Sequence, residues 1–119
     1  MITVTDILQD INRGIMANNI VEDYFLYRII FYVNDGTRGA KHYIDTSYSG
    51  LRVALESIVK DYLSPTNSVV VATITIRKSK ETVSLLSRSY GFSLDGYFQQ
   101  IVGEKACRSM YCGRKRANY

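Results

Sequence analysis

At 119 residues and 13.5 kDa, with 46% apolar and 22% charged residues, the chain is long enough for one domain with its own core and too apolar to be disordered. Its formal charge of +4 is local: residues 1–103 carry ten Lys/Arg and ten Asp/Glu, whereas residues 104–119 carry Lys105, Arg108, Arg114, Lys115 and Arg116 against Glu104 alone. No apolar run approaches the roughly 18 residues of a membrane span, and the start, Met-Ile-Thr-Val-Thr-Asp, lacks the pattern of a secretory signal, so a cytoplasmic protein (host cytoplasm if viral) without a membrane partner is expected.

In chain order, Thr3 and Asp6 have the spacing of a helix-opening capping box. Ile7, Leu8, Ile11 and Ile15 then recur at helical spacing, predicting a helix over 4–17 that stops at Asn18-Asn19. The run Tyr24 to Val33 is apolar on both faces except at Arg28 and reads as a central strand covered on both sides. Asn34-Asp35-Gly36 predicts a tight hairpin with a type I′ turn, followed by a more polar strand over 37–45 that carries His42, the only histidine.

Ser49 is an N-cap candidate for a helix over 50–63, with Leu51, Ala54, Leu55, Ile58, Val59, Tyr62 and Leu63 as its apolar stripe and Glu56-Lys60 as an i,i+4 pair. The β-branched run 69–76 predicts a third strand beside the first, with Val70, Ala72, Ile74 and Ile76 facing the core. Ser79 then reads as the cap of a helix through about Ser89, Gly91 as its terminating glycine, and 94–110 as a last helix with Tyr97, Phe98, Ile101 and Val102 inward. These elements predict one α+β domain over 1–119: a mostly antiparallel three-stranded sheet, helices packed on it and a C-terminal helical hairpin.

Leu86, Tyr90, Gly91, Phe92 and Tyr97 stand at about the spacing that helix-turn-helix motifs fill with apolar residues around a turn glycine. Residues 82–102 thus resemble a helix-turn-helix, and Gly91-Phe92-Ser93 with Tyr97-Phe98 is similar to the second such motif of AraC-type regulators. The resemblance implies that 94–102 is a DNA-recognition helix, with Ser93, Asp95, Gln99 and Gln100 as base-edge readers.

Catalytic chemistry finds little footing in the sequence. His42 has Lys41, Tyr43 and Asp45 nearby but no nucleophile–base–orienter pattern, and Gly36-Thr37-Arg38-Gly39 lacks phosphate-loop spacing. Cys107 and Cys112, four residues apart, do not have zinc-ribbon spacing, and in a reducing compartment they are expected to be free thiols; neither a metal nor a cofactor is expected.

The charge asymmetry favours a small, basic, non-enzymatic nucleic-acid-binding protein whose contacts are Arg77, Lys78, Lys80, Arg88, Gln99, Gln100, Lys105, Arg108, Arg114, Lys115 and Arg116, with DNA or RNA as the partner. The alternative is a phage-type accessory protein that inhibits or adapts host machinery through a protein partner. Ten tyrosines without a tryptophan suit a contact surface as well as a core margin, and the open edges of a short sheet allow a homodimer.

Overall fold

In the computed structural model, residues 2–20 and 26–94 are described. They form an α+β unit: α1 (Val4–Ala17), β1 (Tyr27–Asn34), β2 (Gly39–Thr46), a 3-10 turn (Tyr48–Gly50), α2 (Leu51–Tyr62), β3 (Ser68–Lys78), β4 (Glu81–Ser84) and β5 (Tyr90–Phe92). The sheet is antiparallel throughout, in the order β2-β1-β3-β4, and β5 pairs with β3 alongside Val69–Val71. The sheet therefore has five strands rather than the expected three.

α1 begins and ends as its sequence dictates. The Thr3 hydroxyl accepts from the Asp6 amide, and the Asp6 carboxylate accepts in return from the Thr3 amide at 2.7 Å. At the other end Asn19 takes a left-handed φ of 55°, and the amides of Asn19 and Ile20 reach back to the carbonyls of Met16 and Ile15. That pair of bonds is a Schellman closure, completed by the burial of Ile20. The Lys78 ammonium donates to the Asn18 carbonyl at 3.1 Å, placing a cation at the negative end of the helix.

The core lies between one face of the sheet and the two helices. Ile7 and Ile11 from α1 and Leu51, Leu55 and Ile58 from α2 meet Tyr27, Ile29, Phe31, Val69, Val71, Ile74 and Ile76. At about 1.5–3 kcal/mol for each large apolar side chain taken from water, this layer dominates the stabilisation. Among the described residues, sixteen buried apolar residues form it, and the one buried charged residue is Asp10. Its Oδ2 accepts from the Ser87 amide (3.0 Å), the Ser87 hydroxyl (2.9 Å) and the Tyr90 phenol (2.8 Å), tying α1 to the segment between β4 and β5. Burial pushes the Tyr90 phenol up, a hydrogen bond from Arg88 works against that, and the bond to Asp10 adds to the rise.

Several expectations are corrected. Residues 79–89 are not a helix: Ser79, with a φ of 57°, and Lys80 form the two-residue turn between β3 and β4, because Lys78 pairs with Glu81. Gly91 lies in β5 rather than at a helix end. The expected last helix, from 95 onward, lies outside the described residues, as do Tyr24, Phe25, Cys107 and Cys112. The turn between β1 and β2 is a four-residue loop, Asp35–Arg38, in which only Gly36 has positive φ, so it is not type I′. Asp35 shapes this loop by accepting from the Thr37 hydroxyl, the Thr37 amide and the Arg38 amide, which lowers its pKa to about 2.

α2 starts behind the 3-10 turn with Gly50 rather than Ser49 as its N-cap, and Glu56 lies near Arg52 at 3.8 Å. In β3, a register shift opposite Ile30 and Phe31 moves the inward set from the expected Val70 and Ala72 to Val69 and Val71, leaving Ile74 and Ile76 in place. Among the described residues, no helix of the structure is long and apolar enough to cross a membrane.

Candidate nucleic-acid interface

The helices cover one face of the sheet, and among the described residues no element crosses the other. The pleat decides what that open face carries. With Tyr27, Ile29 and Phe31 committed to the core, Arg28, Ile30 and Tyr32 of β1 must point the opposite way. Across β2, β1 and β3 the open face then reads in rows: Asp45–Arg28–Thr75, Tyr43–Ile30–Thr73 and Lys41–Tyr32–Val70. Beyond β3, Ser84 stands beside Thr75, and Thr82 stands beside Arg77. The Thr73 and Ser84 hydroxyls are hydrogen-bonded to each other.

The middle of this surface is a small constructed group. The Arg28 guanidinium makes a two-pronged pair with Asp45, Nε to Oδ1 at 2.8 Å and the terminal nitrogen to Oδ2 at 3.0 Å. The same guanidinium lies 4.2 Å from the centroid of the Tyr43 ring. The hydrogen bond from Arg28 holds the Asp45 carboxyl below the usual carboxylate range, and the bond to Asp45 raises the guanidinium. Tyr43 is nevertheless 58% exposed, so the side of its ring away from Arg28 is open to a ligand. Tyr32 is diagonal to Tyr43 across β1 and β2, a separation of about 7–8 Å in such ladders.

Of the positions expected to contact nucleic acid, the four described ones are divided between the two sides of the sheet and the β3–β4 turn. Arg77 is exposed on the open face and Lys80 at the β3–β4 turn, but Lys78 points to the helical side, where it caps α1. Arg88 also lies on the helical side, with its guanidinium 4.9 Å from the centre of the Tyr90 ring. Gln99, Gln100, Lys105, Arg108, Arg114, Lys115 and Arg116 lie outside the described residues.

The sequence alone does not single out Arg28, Tyr32, Lys41 and Tyr43, because its two-sidedly apolar pattern places β1 between two covering layers. The signal was Arg28 itself: an arginine in the middle of one of two supposedly dry faces is costly unless that face is wet.

His42 belongs to the core margin instead. Its ring lies 5.3 Å from Phe31 and 5.2 Å from Tyr62, on the helical side of β2. No group of three His, Cys, Asp or Glu side chains among the described residues is arranged to hold a metal ion. A groove of about 600 Å³ between the start of α1 and α2, bordered by Leu94, has Arg52, Glu56 and Lys60 among its lining residues but no converging set of polar groups. No family model matches the chain, and searches of curated proteins and of solved structures find no match.

Proposed function

We propose that the protein is a non-enzymatic nucleic-acid-binding protein that holds a single strand on the open face of its sheet. The observation that carries this reading is the pairing of Tyr43 and Tyr32 with the cations Arg28, Lys41 and Arg77 on a sheet face that no helix covers among the described residues. Bases stack on tyrosine rings whatever their sequence, each contact worth about 1–3 kcal/mol, while nearby cations take the phosphates. The hydroxyl rows of Thr73, Thr75, Thr82 and Ser84 add donors and acceptors for sugar and base edges. The basic residues of 104–119 supply further phosphate contacts in this reading.

A single strand suits this surface better than a duplex. Stacking needs unpaired bases, and a broad sheet does not enter a major groove as a recognition helix does. The test is titration of labelled single- and double-stranded DNA and RNA across a salt series. Single strands are expected to bind more tightly, with affinity falling steeply as salt rises, and Tyr43→Ala is expected to weaken binding about tenfold, the equivalent of roughly 1.4 kcal/mol. No binding at low salt would remove this reading and turn attention to a protein partner.

A further inference from the structure

We propose that β2 is a self-association edge, and that two copies of this chain pair antiparallel along it about a two-fold axis centred on Tyr43. β2 pairs with β1 over eight residues without a register shift, and its other edge has no partner strand among the described residues. It contains no proline and no bulge, two common devices that blunt an edge. On the far side of the sheet, β3 is covered in part by β4 and in part by β5, each too short to be a comparable template.

The charges of β2 choose the occupant and the register. If both helical layers are to lie on the same side of a continuous sheet, a residue of β2 must oppose itself or another of the same facing. Centring the axis on Lys41 or on Asp45 sets like charges face to face. Centring it on His42 or on Ile44 leaves both charged residues opposite neutral ones. Only centring on Tyr43 places Lys41 opposite Asp45 of the second copy, twice, by symmetry.

Asp45 already holds Arg28 of its own chain, so the junction becomes a ladder of Arg28, Asp45 and the second copy's Lys41 on each side of the axis. Tyr43 meets its own counterpart at the centre, and on the inner face His42 meets Ile44. One cation and one anion placed symmetrically about Tyr43 make β2 complementary to its own reverse, which identifies the partner as a second copy rather than an unrelated strand. The two open faces would then join into one surface of twice the width.

Sedimentation equilibrium across a concentration series, without nucleic acid, tests this separately from the proposed function. Wild-type protein is expected to be a dimer, and Lys41→Glu, which sets two carboxylates against each other, a monomer with an unchanged circular dichroism spectrum. The triple variant Arg28→Glu, Lys41→Glu, Asp45→Lys reverses the whole ladder and is expected to restore the dimer. In a Cys107→Ser, Cys112→Ser background, Tyr43→Cys is expected to form an intermolecular disulfide on oxidation, and Asp45→Cys is not. A monomeric wild type, or a dimer indifferent to Lys41→Glu, would overturn the proposal. Cross-linking through position 45 instead of 43 would overturn the register.

Discussion

Asp10 is the residue at which a small chemical change should cost the fold most. The residue is 1% exposed, and one carboxylate oxygen accepts three hydrogen bonds, two from Ser87 and one from the Tyr90 phenol. Bonds to a charged acceptor are worth about 1.5–3 kcal/mol each, but not all of that is lost on truncation. Ser87 is exposed, so in Asp10→Ala its amide and hydroxyl regain water. Tyr90 is 2% exposed, and its proton would be left without an acceptor, at about 1–3 kcal/mol. Part of the total is offset because a carboxylate no longer has to be desolvated. The expected net loss for Asp10→Ala is about 3 kcal/mol.

Asp10→Asn keeps an oxygen in the accepting position and loses only the charge, so about 1–2 kcal/mol is expected. Tyr90→Phe should cost about 1–2 kcal/mol, and adding it to Asp10→Ala should cost less than the sum, because the orphaned hydroxyl is gone. Urea denaturation followed by circular dichroism measures the four variants against wild type. An Asp10→Ala variant within about 0.5 kcal/mol of wild type, or strictly additive effects, would refute this reasoning.

Three further outcomes follow from particular backbone and turn geometries. Gly14→Ala would gain about 1 kcal/mol from helix propensity alone, but the new Cβ would lie 2.1 Å from the Leu85 carbonyl oxygen. Because that neighbour is backbone, overpacking should win, and thermal denaturation should show a net loss of about 1–2 kcal/mol. Ser79→Gly should stabilise the β3–β4 turn by about 0.5–1 kcal/mol, because serine there holds a left-handed φ of 57°; a lowered melting temperature would contradict this.

Asp35 has its pKa depressed to about 2, so the turn's hydrogen bonds are fully present above the unfolded carboxyl's value of about 4 and are lost as pH falls through about 2. The Thr37 amide resonance, followed by NMR against pH, should therefore shift with a midpoint near 2, and a midpoint near 4 would contradict the turn geometry.

What the sequence made legible were the elements with several cooperating signals. α1 announced its periodic stripe, its Thr3–Asp6 box and its Asn19 stop, and all three appear. β1 declared itself central, and β3 its neighbour, through long β-branched and aromatic runs. The stretch 79–92 failed for a physical reason. β4 and β5 have four and three residues, too short for a period of two to be told from a helical stripe.

Val83, Leu85 and Leu86 fit either pattern, and Ser79 is as good a turn residue as it is a cap. The bulge in β3 was equally invisible, because Val69 to Val71 is apolar at every position and only pairing with β1 fixes which residues face inward. The candidate interface was hidden by the same two-sidedness in β1: an apolar second face reads as buried until the number of helices available to cover it is known.

Backbone chemical-shift mapping with a short single-stranded oligonucleotide addresses the proposed interface residue by residue. Perturbations should concentrate on Arg28, Ile30, Tyr32, Lys41, Tyr43, Thr73 and Thr75, leaving Leu55 and Ile58 of α2 unmoved. Shifts confined to the helical face, or to residues 95–119 without the sheet, would contradict the open face as the binding surface.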